Sequence, residues 1–415
     1  MPIERFFAGL VRSAFTKFFL FLISASICLI SAGIGGASQE VTAFENVQKS
    51  TGGLGELVHK ALGADSSQLA SGEVKRLNQQ FSAAVILPVY RSLAERTRQL
   101  AVAGQTFEQA PSEASLEIFR AAWLEAASAW ARSQAVAFGP VHSLGHSVAL
   151  DFPLDQAGID GLLADIPKAK GTIDLESVTL QPSLQGFEAM AYLLYGDERN
   201  KIASDFSVRE RQYLRRLAVT AANVSSELLS AWQVGWNGYA AYDTLLATAG
   251  QPDNGAYMTV ESGTEEIVRS AINALDKTVS EIIPSLLETS EQLNGSSGRI
   301  ALQLLISTVQ GIQIAYEGAT ERLAVKSVQL VRTEKEQKEF KRAGGIGQWV
   351  EAEDQEIDRQ IRQSLEVTLE QLEEAAINPV DIEALSHAQL ALTAVKSRLE
   401  QNMLPLVQIQ TIAFR

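Results

Sequence analysis

The sequence predicts an all-α chain in two helical halves. Three observations carry this expectation. Apolar residues recur at helical spacing nearly everywhere, no sustained period-two alternation argues for a sheet, and one glycine-, proline- and asparagine-containing break separates the long helical patterns.

From the N-terminus, Arg5, Arg12 and Lys17 stand against a single acid, Glu4, ahead of the uncharged run Phe18–Ile34 and the small residues Gly35-Gly36-Ala37. A basic stretch, an apolar stretch and small residues before a cleavage point predict a secretory signal over residues 1–37, cut after Ala37. The alternative is a retained anchor, because about 17 apolar residues just span a bilayer. Cys28 falls inside this run behind Ile27, where a lipoprotein signal wants a small residue, so it reads as apolar filling.

The remainder divides into a first helical bundle at 38–250 and a second at 258–415, with Ala249–Tyr257 (AGQPDNGAY) as the break. In the first, Leu116, Phe119, Trp123, Ala126 and Trp130 form one helical stripe. In the second, Val268, Ile272, Leu275, Val279, Ile282 and Leu286 form another, and Ile361, Leu365, Leu369, Leu372 and Ala376 a third. Capping boxes are expected at Ser207–Glu210 and Ser262–Glu265, and a helix start at Asn378-Pro379. Pro88 and Pro284 lie inside helical patterns and are expected to kink or break them. The loop-rich stretch Phe138–Lys170 interrupts the first half and is long enough to be a functional feature.

Composition narrows the function classes. With 46% hydrophobic and 20% charged residues, the chain can bury a large core and is not a disordered one. A formal net charge of −14 speaks against nucleic-acid binding, which needs a basic surface, but is compatible with binding a metal cation. The single cysteine rules out a disulfide scaffold and a Cys-based zinc or iron–sulfur site.

Three segments carry a family resemblance. Trp123–Trp130 runs into Phe138-Gly139-Pro140-Val141; Asp151-Phe152-Pro153-Leu154-Asp155 follows; and Gly186-Phe187-Glu188-Ala189-Met190-Ala191-Tyr192-Leu193-Leu194-Tyr195-Gly196 is the most specific. Together they resemble the imelysin-like family of exported bacterial proteins. Its signature is a Gly-x-His-x-x-Glu motif leading into an aromatic-Leu-Leu-aromatic-Gly run. The resemblance implies two bundles arisen by duplication with a cleft between them, a periplasmic or outer-membrane-periphery location, and a link to iron uptake; some members are metallopeptidases. It also makes Gly186, Phe187, Tyr192, Gly196, Gly139 and Pro140 the motif framework. The signature is degenerate here, with Glu188 in the histidine position and Ala191 in the glutamate position. Positions i and i+3 share one helix face, yet Ala191 has no donor atom, and zinc hydrolysis needs about three protein ligands plus a water.

The candidate ligand-binding or metal residues are therefore Glu188, His142, His146, Asp151 and Asp155. Glu188 among apolar neighbours is paired, protonated, a ligand to a hard cation such as iron, or a polar group lining a solvated cleft. His142 and His146 are spaced i, i+4 and could join Glu188 in a rebuilt iron or zinc site, although Gly145 weakens the helix between them. His59 and His387 stand alone in helical patterns. Trp232 and Trp236 could stack on haem, but such a pair is more often core packing. The cluster Arg209, Arg211, Arg215 and Arg216 and the acidic run Glu351–Asp358 are expected to be solvated faces, the acids also favoured at a helix start. Three functions compete: a non-catalytic binding or accessory component of iron or haem acquisition, a metallopeptidase built on His142 and His146, and an envelope scaffold binding another envelope protein. The membrane would be met only through the signal segment.

Overall fold

The computed structural model describes residues 71–165, 180–196, 201–293, 295–318, 344–376 and 382–405. The signal segment, Cys28, His59 and the Asn378-Pro379 helix start lie outside the described residues. Among the described residues the fold is all-helical, without strands; one isolated bridge pairs Trp236 with Tyr239. No helix of the described residues is long and apolar enough to cross a membrane.

Helix α1 (Ser71–Phe81) passes through a π turn at Ser82–Ile86 into α2 (Leu87–Gln109), and α3 (Glu113–Ser133) packs back on α2. The stretch expected to be loop-rich instead holds three short helices, α4 (Pro140–Ser143), α5 (His146–Leu150) and α6 (Gln156–Asp165). Helix α7 (Gly186–Tyr195) carries the degenerate motif, and α8 (Val208–Gln233) lies along α2. After α9 (Tyr242–Ala247) comes α10 (Val260–Lys277), a π turn at Thr278–Ile282, and α11 (Ile283–Glu288). The rest is α12 (Ser296–Glu317), α13 (Gly347–Glu353), α14 (Gln355–Ala375) and α15 (Ile382–Asn402).

The apolar stripes explain the packing. Leu116, Phe119, Trp123, Ala126 and Trp130 are all buried, as are Val268, Ile272, Leu275, Val279 and Leu286, and Ile361, Leu365, Leu369 and Leu372. Each fully buried Leu or Phe contributes about 1.5–3 kcal/mol. These side chains belong to one contiguous core running from Leu77 to Met403. Helix α12 reaches α3 because Gly311 lies against the Arg132 carbonyl, where a Cβ would collide. The Ala249–Tyr257 loop is held by buried Asn254. Its Nδ2 donates to the Leu245 carbonyl at 2.6 Å, and its Oδ1 accepts from the Tyr257 amide at 2.8 Å.

Several local expectations are corrected. Neither Pro88 nor Pro284 ends its helix. Each sits just after a π turn, and the wider turn accommodates a residue that cannot donate to i−4 and whose ring crowds that carbonyl. The Ser207–Glu210 capping box forms, whereas the helix expected at Ser262 starts earlier: Thr259 is the cap and accepts from the Ser262 amide at 3.2 Å. Among the arginines, Arg215 pairs with Glu108 at 2.7 Å, and Arg209 and Arg211 donate to the Leu163 and Phe206 carbonyls. They tie α2, α6 and the Phe206 connection to α8 rather than forming a solvated face. In the acidic run Asp354 caps α14, but Asp358 is buried between the Tyr316 hydroxyl at 2.9 Å and Arg362 Nε at 2.8 Å. Trp232 is core, stacked on Tyr90 at 6.1 Å. Trp236 is not on its helix at all, because α8 ends at Gln233.

Candidate functional site

The three segments that carry the family resemblance meet at one place. Trp123 Nε1 donates to the Phe187 carbonyl at 3.1 Å, Trp130 Nε1 donates to Asp151 Oδ2 at 2.9 Å, and the Leu154 amide donates to Glu188 Oε2 at 3.3 Å. The indole donors of one face of α3 thus hold both the Asp151–Asp155 segment and the start of α7. Gly186 makes the close approach. Its φ of +92° is left-handed, and a Cβ there would lie 2.5 Å from the Leu150 carbonyl oxygen. Only glycine lets α7 begin against the end of α5, and that start places Glu188 in the first turn.

These residues line a pocket of about 140 Å³. One wall is Trp123, Trp130, Asp151, Leu154, Phe187, Glu188, Ala191 and Tyr192; the other is Ile282 at the end of the second π turn, Ser285 and Leu286 beyond it, and Ala301, Leu304, Leu305 and Thr308 of α12. The π turn lies where the helix borders the pocket, a frequent position for this distortion.

The electrostatics centre on one lysine facing three carboxyl groups. Burial raises the Glu188 carboxyl well above its usual range. The neighbouring Asp151 charge adds to the rise, and the Leu154 amide and Lys277 oppose it. Asp151 is also raised by burial, against the pull of Lys277 and Trp130. Lys277 is lowered by burial and held up by Asp151, Glu281 and Glu188. Glu281 is raised by burial too. Glu188 is 7% exposed, and its Oε1 is buried without a hydrogen-bond partner, although the residue lines the pocket. An unpaired buried carboxyl oxygen is costly unless something else satisfies it.

The other candidates go elsewhere. His142 and His146 are not on one helix: Gly145, at φ +71°, ends the α4 turn and starts α5, so i, i+4 spacing does not bring the rings together. His142 is exposed, with Nε2 2.8 Å from the Ala137 carbonyl, and acts on Glu266 of α10. His146 is buried, with Nε2 3.6 Å from Glu227 of α8 and its ring edge-on to Trp236. Burial lowers its pKa. Neither ring lines the pocket around Glu188. Asp155 caps α6, accepting from the Gly158 amide at 3.0 Å. His387 is exposed on α15, 4.0 Å from Glu383. Of the framework residues, Phe187, Tyr192 and Gly196 line the pocket, and the Tyr192 hydroxyl donates to Asp160 at 2.9 Å. Gly139 has a φ of +62°, and its missing Cβ leaves room for the Tyr242 ring; Pro140 opens α4.

The donors at the signature position do not fit a catalytic zinc. Ala191 offers no atom, His142, His146 and His387 are engaged elsewhere, and among the described residues the carboxyls of the wall are Glu188 and Asp151, the latter already bonded to Trp130. Among the described residues no three His, Cys, Asp or Glu side chains converge as a metal group would require.

Fold and pocket define an all-helical protein whose motif segments build a carboxyl-bearing pocket. The chain belongs to the imelysin family: the model of that family, Imelysin (peptidase M75), matches residues 86–405. It is 30% identical over 340 residues to iron-regulated protein A of Synechococcus elongatus, a match covering 80% of this chain and 86% of that protein. Two solved structures share the fold at 16% identity and a TM-score of 0.59. One, from Parabacteroides distasonis and provisionally named an iron-regulated protein A precursor, aligns over 81% of this chain and 97% of its own. The other, an imelysin-like protein from Psychrobacter arcticum, aligns over 82% and 98%.

Sequence reasoning located Glu188 and Asp151 but not Lys277, Glu281 or the α12 wall. A signal was present: Lys277 directly precedes, and Glu281 lies within, the helical turn ahead of Pro284, where a distortion is to be expected. Nothing in the sequence, however, says which helix face that segment presents to α7.

Proposed function

We propose that this chain is an exported, non-catalytic binding component of bacterial iron acquisition, with its ligand seated in the pocket around Glu188. One observation carries it: Glu188, at the position where the family signature places a histidine, lines a pocket and has a buried carboxyl oxygen with no partner. Export is supported by the charge and apolar pattern of residues 1–37. The iron connection is supported by family membership and by the name of the Synechococcus relative. The non-catalytic character is supported by the donor set, which falls short of the three ligands and activated water of a zinc hydrolase.

Protein purified from the cell envelope tests each part. N-terminal sequencing is expected to begin at Ser38; a form retaining Phe18–Ile34 would be an anchored protein instead. Peptide hydrolysis is expected to be absent. Hydrolysis that a chelator abolishes, and that a His142→Ala, His146→Ala variant lacks, would replace the binding role by a peptidase.

A further inference from the structure

We infer that the pocket around Glu188 takes a small organic cation: an ammonium group on a body about the size of one aromatic ring. This rests on the binding role proposed above and names the class of ligand for that same site.

Size comes first. A cavity of about 150 Å³ lined by apolar side chains accommodates one benzene ring. The pocket here, at about 140 Å³, matches that volume, and most of its wall is aromatic or aliphatic. The sign of charge comes next. Among the described residues no Lys, Arg or His lines it, while two carboxyl-bearing residues, Asp151 and Glu188, do. Trp123, Trp130, Phe187 and Tyr192 lie in the same wall, and aromatic faces attract cations. The polar anchor is Glu188 Oε1, buried and without a partner, while Oε2 is occupied by the Leu154 amide.

The surrounding charges leave room for one more positive group. Lys277 at the end of α10 faces Asp151 from the segment after α5, Glu188 from α7 and Glu281 from the π turn. One base therefore balances one acid and leaves the others dependent on protonation or on a cation. Burial and the Asp151 charge favour the protonated form of Glu188. An ammonium beside the carboxyl favours the charged form, so any proton the carboxyl still holds passes to water as the charged pair forms. A divalent metal would need several donors at ~2.0–2.6 Å, and among the described residues no three His, Cys, Asp or Glu side chains converge to supply them. A single ammonium needs one carboxylate and an apolar surround.

The test uses benzylamine, with benzyl alcohol as its neutral counterpart and benzoate as its anionic one, titrated into the full protein. Calorimetry in two buffers of different ionisation enthalpy counts protons, and indole fluorescence reports Trp123 and Trp130. Benzylamine is expected to bind more tightly than either counterpart, with net proton release appearing when the titration is repeated across pH, because the Glu188 carboxyl is raised. Glu188→Gln is expected to weaken benzylamine roughly tenfold or more, the scale of a hydrogen bond to a charged group, and to leave benzyl alcohol nearly unchanged. Proton release by the unmodified protein keeps the test valid even if the variant folds poorly. Benzyl alcohol or benzoate binding as tightly as benzylamine, or benzylamine binding without proton release, overturns the cation assignment and leaves the binding role standing. A folded protein that takes none of the three also overturns the cation assignment, while the binding role is decided by the hydrolysis test above.

Discussion

Gly186→Ala isolates the closest backbone contact in the site. The substitution asks an L residue to hold a φ of +92° and sets its Cβ 2.5 Å from the Leu150 carbonyl oxygen. Holding a non-glycine residue in a sparsely populated backbone region costs about 1–3 kcal/mol. The steric conflict with backbone, which cannot rotate away, adds about 1–3 kcal/mol of overpacking. Equilibrium denaturation should therefore show about 2–6 kcal/mol of lost stability at constant m. The start of α7 should shift as well, drawing Glu188 away from the Leu154 amide. Gly161→Ala is the control: it lies in α6 with nothing within 4 Å of a Cβ, so the change should be neutral or gain about 0.5–1 kcal/mol. If Gly186→Ala costs no more than 0.5 kcal/mol, about the scatter of an ordinary surface substitution, the approach of α7 to α5 is not fixed by this glycine.

Three further outcomes follow from the same structure. Because folding raises the Glu188 pKa, the folded state holds more protons than the unfolded one above the ordinary carboxylate range; stability should fall as pH rises through the raised value, and Glu188→Gln should flatten that slope in denaturation curves collected across pH. Gly311→Ala should force α12 off the Arg132 carbonyl, costing about 1–3 kcal/mol in urea denaturation and altering indole fluorescence, since α3 and α12 face each other across the pocket. Asp358→Asn should lower stability by about 1.5–3 kcal/mol, because Arg362 and the Tyr316 hydroxyl lose a charged acceptor; thermal melts would check it, and an unchanged midpoint would mean that the pair is offset by its desolvation.

Much of the fold was legible because helices announce themselves locally. The spacing of Leu116 through Trp130 determined which face of α3 was buried, and those same indoles proved to hold the site. What stayed hidden depended on long-range packing or on single backbone torsions. Gly145 was visible as a weak point, but only its left-handed φ shows that His142 and His146 belong to different helices. Asp358 and the arginines of α8 look like surface charge in any window, because their partners Tyr316, Glu108 and Leu163 are distant in sequence. The far wall of the pocket was invisible for the same reason: the stripe from Val268 to Leu286 reads as core, and only the packing makes its last residues a lining.

The degenerate motif makes physical sense as a division of labour within one carboxyl group. Replacing histidine by Glu188 keeps a polar side chain at the start of α7, and Oε2 uses it to anchor the Leu154 amide, which links the second family segment to the third. Replacing the glutamate by Ala191 removes the second donor from the same helix face, so that face cannot chelate through the signature pair. A purely structural carboxyl would turn both oxygens inward to protein donors, or would be amidated to avoid the burial cost. Glu188 does neither: Oε1 remains unpartnered, Asp151 beside it worsens the cost of charge, and Lys277 relieves only part of it. The cation proposed for this pocket would supply the positive charge that Lys277 alone does not bring to Glu188 and Asp151.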